Sequence, residues 1–267
     1  MGADIKSLRT RIKSVDSTLH LTKAMGLVAS SKIRRATEAM NKSREYSHAM
    51  EELISLLTSS AECKSSVFMS ERSGGKTKLI VIAGDRGLAG GYNANVFRFI
   101  REYADALIIP IGKRACDRFG GERRFAERFS VEDAFALSSS LCREFAEGGF
   151  DRLGIVSTEY ISIMTQQVKI KWLLPLTKTE ENGGASVVFE PDELTILNSA
   201  VTEYVTGEIV AAVRESFASE VAARRCAMDS AGKNAQEMID GLQLEYNRAR
   251  QGAITQEITE IVAGSGS

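Results

Sequence analysis

The sequence is short of the residues that break helices and of those that carry acid–base or metal chemistry. Its only three prolines are Pro110, Pro175 and Pro191, which leaves a long stretch at each end of the chain without one. Proline inside a helix removes a backbone donor and clashes with the preceding turn, so both ends are free to form long helices. Only two histidines occur, His20 and His48, both in the first of these stretches, where a solvated helix surface accounts for them. The four cysteines, Cys63, Cys116, Cys142 and Cys226, have no CxxC spacing and read as small buried or half-buried thiols, not as a zinc site or disulfide framework. No apolar run reaches the roughly eighteen residues of a membrane span, and the polar N-terminus lacks the apolar core of a signal peptide. A net charge of −1 gives no overall attraction to nucleic acid.

Apolar residues at steps of three and four are abundant. Ile5, Leu8, Ile12, Val15 and Leu19 begin one stripe, and Leu21, Met25, Val28, Ile33, Ala36, Met40, Met50, Leu53 and Leu57 continue it with a shift. A second stripe starts at Leu194, Leu197, Val201 and Tyr204 and reaches Met238, Leu242, Tyr246, Ile254, Ile258 and Ile261. At a rise of about 1.5 Å per residue these predict rods of about 80 Å, from Ile5 to about Thr58, and about 105 Å, from Asp192 to Val262. Residues 1–44 carry ten Lys and Arg against three Asp and Glu, and residues 192–262 carry six against twelve. Rods of opposite sign joined through a compact insert predict an antiparallel coiled coil, with the second rod overshooting the first as a single-helix tip.

Between the rods the period changes. Lys78–Ala83 is a β-branched run, Gly84–Gly91 a glycine-rich turn, and Asn93 stands where it can cap a helix carrying Val96, Phe97 and Ile100. Ala106–Ile111 and Leu153–Thr158 repeat the strand signal, Glu132–Glu147 reads as a helix, and Ile161–Trp172 alternates. Asn182, Gly183 and Gly184 read as a turn and Val187–Phe189 as a short strand before the last rod. The fold class is therefore α/β: two long terminal helices around a central Rossmann-like layer with a mostly parallel sheet. The expected domains are a first helix at 1–58, a linker at 59–76, a central α/β domain at 77–190 and a second helix at 191–267.

Two segments invite comparison with nucleotide loops. Gly75, Lys76 and Thr77 resemble the end of a phosphate loop, but Ser70 holds the place of its leading glycine and a strand follows instead of preceding it. The turn Gly84–Gly91 follows a strand but does not have the GxGxxG spacing, so a tight structural turn is the better reading. A nucleotide-dependent enzyme on the central layer and a scaffold or nucleic-acid binder using the basic first rod are the competing classes; the acidic second rod would neutralise that basic surface.

Three segments carry a family resemblance: Leu21–Arg35 (LTKAMGLVASSKIRR), Asp85–Asn93 (DRGLAGGYN) and Leu242–Val262 (LQLEYNRARQGAITQEITEIV). Together they resemble the gamma subunit of F-type ATP synthases, of the bacterial type. The resemblance implies a non-catalytic rotor shaft without a cofactor, turning inside a hexamer of alpha and beta subunits that holds the catalytic sites. Its central domain would form a foot joining the epsilon subunit and the membrane c-ring. The resemblance also implies a peripheral location on the cytoplasmic face of the cell membrane. By the same resemblance Arg250 and Gln251 catch a loop of a beta subunit, with Arg224 and Thr255 in the same group and Lys23 and Met25 on the first helix facing beta. The resemblance further implies that Phe189 and Glu190 face the ring and epsilon. Gly26, inside the first helix, suggests close packing or local give there.

Overall fold

The computed structural model describes residues 2–72, 74–177 and 189–264. The expected turn at Asn182, Gly183 and Gly184, and Val187 and Val188 of the expected short strand, lie outside them. Helix α1 runs Gly2–Ser59 and helix α5 Glu193–Gly264. Between them come β1 (Thr77–Ile82), α2 (Tyr92–Phe99), β2 (Leu107–Ile111), α3 (Lys113–Phe119), α4 (Val131–Ala146), β3 (Arg152–Tyr160) and β4 (Gln166–Leu174). Contacts divide the chain into two compact units that cut across both long helices: Met1–Ser30 with Arg224–Ser267, and Ser31–Ala223.

In the larger unit the strands stand in the order β2-β1-β3-β4. The β2–β1 and β1–β3 pairs are parallel, and β4 returns antiparallel to β3. Both faces of β1 are covered, which is why it reads as a continuous apolar run. Leu79 and Val81 point to a core shared with Val96 of α2 and Ile100 just after it. Ile80 and Ile82 point to the opposite core, shared with Leu141 and Phe145 of α4, Leu57 of α1 and Val201, Val205 and Ile209 of α5. Within this unit α1 and α5 run antiparallel: Met40 packs near Ala218, Ser47 donates to Glu208 and Ser60 donates to Glu193.

Several local expectations are corrected. Asn93 does not cap α2; Gly91 occupies that position. Asn93 instead folds back, its Oδ1 accepting from the Gly84 N–H at 2.9 Å and its Nδ2 donating to the Arg86 carbonyl at 3.3 Å. The segment Ile161–Trp172 is not one strand: its first residues form the β3–β4 turn, where the Ser162 carbonyl accepts from the Thr165 N–H. The seven-residue α3 has too few turns for a sequence period to reveal it. Helix α5 starts at Glu193 instead of Asp192. The Asp192 carboxylate accepts from the Thr195 N–H and Oγ1, both at 2.8 Å, and the backbone bond first holds its pKa below the usual range. The four cysteines are free, and burial pushes the Cys142 thiol up to about 11.

In the smaller unit the helices are again antiparallel, with Leu19 against Ala235 and Ile239 and Gly26 against Met228 and Asp229. The residues that meet are mostly small. Thr22, Gly26 and Ala29 of α1 are buried where the sequence pattern suggested Leu21, Met25 and Val28; Met25 is half-buried, and Leu21 and Val28 are exposed. The α5 side of the seam is Met228, Gly232, Ala235, Ile239 and Leu242, while Met238 is exposed. Gly26 is not demanded by steric contact, since a Cβ there would meet its nearest neighbours at 3.6 Å, an ordinary van der Waals distance. Gly26→Ala is therefore expected to raise the stability of the folded chain by up to about 1 kcal/mol through helix propensity. Thermal unfolding of the two proteins checks this; a lower Tm for the variant would mean that the glycine serves a backbone geometry that alanine does not share.

Candidate functional site

Several large apolar side chains of the smaller unit lie outside its seam or beyond it. Leu21, Leu27 and Val28 of α1 are exposed, as are Leu244, Ile254, Ile258, Ile261 and Val262 of α5. Ile254, Ile258 and Ile261 repeat at helical spacing on one stripe, the pattern of a face that packs against something. By the pairing of Leu19 with Ala235 and Gly26 with Met228, α1 begins level with the region around Gly252, and every residue from Ile254 to Gly264 is exposed. That is the overshooting tip the sequence led us to expect.

The residues that the resemblance singles out fall into two groups on this unit. Lys23 is exposed and Met25 half-buried, one turn from the Gly26–Asp229 contact, and Arg224 is half-buried a little over one turn before Asp229 on α5. Arg250 and Gln251 lie 21 and 22 residues beyond Asp229, about 30 Å along the helix at about 1.5 Å per residue. Both are exposed, and among the described residues no side-chain hydrogen bond or ion pair holds either one. Thr255 is also exposed, but its hydroxyl donates to the Gln251 carbonyl at 2.9 Å. Because the two helices are antiparallel, Lys23 and Arg224 lie on opposite sides of the Gly26–Asp229 contact, about 10 Å apart along the axis, with Met25 between them, whereas Arg250, Gln251 and Thr255 lie together farther along α5.

In the larger unit, Phe189 is half-buried against the core beneath α4 and α5, and Glu190 beside it is exposed. The glycine-rich turn after β1 is filled by carboxylates of the chain itself. Asp85 accepts from the backbone N–H groups of Lys113, Ala126 and Glu127 at 2.9, 3.0 and 2.8 Å. The Glu220 carboxyl lies over Gly84, where a Cβ would meet its Cδ at 2.7 Å. Of the turn's own backbone donors, the Gly84 N–H is given to Asn93 Oδ1 at 2.9 Å and the Arg86 N–H to Glu220 Oε1 at 3.4 Å, so these two are spent inside the fold and not turned to a ligand. The turn is further held by Glu127, which accepts from Lys32 of α1 at 2.5 Å and pairs with Arg86 at 3.5 Å; the Lys32 bond first keeps the Glu127 carboxyl below its usual range.

Sequence reasoning passed over an ion cluster built on a buried carboxylate, Glu208. Glu208 of α5 accepts from Ser47 of α1 at 2.5 Å and from Lys171 of β4 at 2.5 Å, and Lys171 also binds Glu51. Burial raises the Glu208 pKa even with Lys171 beside it. Burial also works against the Lys171 cation, but the two carboxylates more than offset it and raise its pKa. A Glu in an otherwise apolar stretch of α5, facing a Lys in an apolar strand, was the only trace of this cluster in the sequence. Among the described residues no group of His, Cys, Asp or Glu has the geometry of a metal site, and no helix is long and apolar enough to cross a membrane. His20 and His48 lie on exposed helix surface beside Asp16 and Glu52.

A model of the ATP synthase family matches residues 4–267. The chain is 40% identical to the ATP synthase gamma chain of Ruminococcus albus, over 98% of each protein. It is 36% identical to the ATP synthase gamma chain, sodium ion specific, of Acetobacterium woodii, over 99% of each. Among solved structures, a chain of the Euglena gracilis mitochondrial ATP synthase rotor in rotational state 1 shares the fold, with a TM-score of 0.66 at 19% identity, covering 95% of this chain and 100% of that one.

Proposed function

The chain belongs to the ATP synthase gamma-chain family, and from that premise we propose that it is the central rotor shaft of an F-type ATP synthase, passing ion-driven rotation of a membrane ring to the catalytic sites of beta subunits. The observation that carries this reading is the apolar surface left uncovered on the smaller unit: Leu21, Leu27 and Val28 stay outside the antiparallel seam, and Ile254, Ile258 and Ile261 line the tip of α5 beyond the start of α1. A helix pair that leaves this many large apolar groups exposed at helical spacing is suited to bear on surrounding subunits.

The mechanism needs no chemistry in this chain. A single asymmetric rod inside a ring of three equivalent alpha–beta pairs contacts each pair differently, so it biases each toward a different conformation, and turning the rod passes those states around the ring. Arg250 and Gln251 engage a loop of one beta subunit at a time, supported by Thr255, while Lys23, Met25 and Arg224 form the second beta-facing group. Phe189 and Glu190 face the ring and the epsilon subunit. The chain has no cofactor and no nucleic-acid partner, does not itself insert in the bilayer, and works at the cytoplasmic face of a bacterial cell membrane. In functional terms residues 1–58 and 191–267 are shaft, 77–190 foot and 59–76 the linker.

The purified chain is expected to show no ATP hydrolysis, because it presents no free phosphate loop and no poised base. Adding alpha and beta subunits restores turnover that depends on all three. Hydrolysis by the purified chain alone, or an alpha–beta complex whose turnover is indifferent to it, would overturn the reading.

A further inference from the structure

Strand β1 runs out before β3 does. The last β1–β3 partners are Val81 and Val156, whereas β3 continues to Tyr160. On one side β3 stays paired with β4 as far as Tyr160. On the other, the backbone groups of Thr158 and Tyr160 would be left without a neighbour, a costly outcome above all for Thr158, which is buried. Side chains of the long helices take the place of the missing strand. Ser216 Oγ accepts from the Thr158 N–H at 3.1 Å, and Ser219 Oγ, one turn on, donates to the Thr158 carbonyl at 3.1 Å. Glu215 Oε1 accepts from the Tyr160 N–H at 3.1 Å, and Arg44 of α1 donates to the Tyr160 carbonyl at 3.4 Å while pairing with Glu215. The Tyr92 hydroxyl closes the arrangement by donating to the Ser216 carbonyl at 2.9 Å.

Glu215, Ser216 and Ser219 are all buried. Burial of polar groups is a poor route to stability, since well-packed apolar residues do as well or better. What hydrogen bonds add is direction. An apolar helix face resists separation but tolerates sliding, whereas bonds to fixed backbone atoms specify one angle of the helix about its own axis. Turning α5 by the roughly 100° between successive residues would carry all three side chains off β3.

We propose that Glu215, Ser216 and Ser219, with Arg44, form a torsional key that locks both long helices to the end of β3, so that torque entering the central domain reaches the helices without slip. This rests on the shaft reading. The test uses the assembled complex with its alpha and beta subunits fixed to a surface and a bead attached to the central domain of this chain. Ser216→Ala with Ser219→Ala removes two of the four ties to β3. The angular variance of the bead in the stalled complex is expected to grow by up to about twofold as that part of the stiffness halves. Ile80→Val, a loosening of the core away from the key, serves as a variant of lowered melting temperature and is expected to keep wild-type variance. Should the double variant fail to assemble, Ser219→Ala alone leaves three ties and is expected to give an intermediate variance. Wild-type variance in the serine variants, or an equal rise in Ile80→Val, overturns the key. A wild-type bead that does not turn on addition of ATP overturns the shaft reading itself, and the key with it, before any variant is compared.

Discussion

Arg250→Ala together with Gln251→Ala is expected to lower ATP synthesis by the assembled enzyme about ten- to hundredfold, the effect of losing one charge-assisted bond of about 1.5–3 kcal/mol from the barrier it gates. Both side chains are exposed and no intramolecular bond among the described residues depends on either, so the helix loses nothing by their removal. Helix content, Tm and assembly should accordingly stay near wild type. Thr255 supplies an internal control, because its hydroxyl is already bonded to the Gln251 carbonyl, and Thr255→Ala should have a smaller effect. The comparison is synthesis and cooperative hydrolysis in complexes of equal subunit content. Wild-type synthesis in the double variant would reduce these two residues to solvated decoration and leave the exposed isoleucines as the only contact at that level.

Replacing Lys171 with methionine should cost the fold about 3 kcal/mol, because it leaves Glu208 buried without its counter-charge. The figure sits at the low end of the range for broken buried pairs, since Lys171 is itself 35% exposed and Ser47 still donates to Glu208. The cost should also depend on pH in a defined direction. Burial holds the folded-state pKa of Glu208 above its unfolded value, so its protonated form favours the folded state. That contribution is fully present below the unfolded pKa and is lost as pH rises through the folded one. Without Lys171 the folded pKa rises further, and the window of loss moves upward with it. Urea unfolding of wild type and Lys171→Met at pH 5 and pH 8 measures both terms. The variant should be closer to wild type at pH 5 than at pH 8, and a difference independent of pH would mean that lost packing of the lysine stem, not the charge on Glu208, sets the cost.

Either variant shows where sequence reasoning ends. Arg250 and Gln251 were legible because a helix surface is a local property: 3.6 residues per turn and an absence of proline place them on a rod, and nothing distant alters that. The same holds for the existence of α1 and α5, for the β1–β3 strands and for the exposed tip. It fails for α3, too short to show a period, and for Asn93, whose side chain serves a loop nine residues back instead of the helix it begins. It fails again at the seam, where Thr22, Gly26 and Ala29 are buried and Leu21 and Val28 are not. Periodicity identifies an apolar stripe, but which edge of the stripe faces inward depends on how closely two helices approach, and small residues win that contest by letting the backbones come together. The partners of Asp85, Glu208, Ser216 and Ser219 stand between 28 and 161 positions away in the chain, and no local pattern joins them. The two long helices, the mostly parallel layer between them and the family are all written in local periodicity and short blocks; which polar groups lock helix to sheet is written nowhere locally, because a buried hydrogen bond is defined by the partner that long-range packing brings to it.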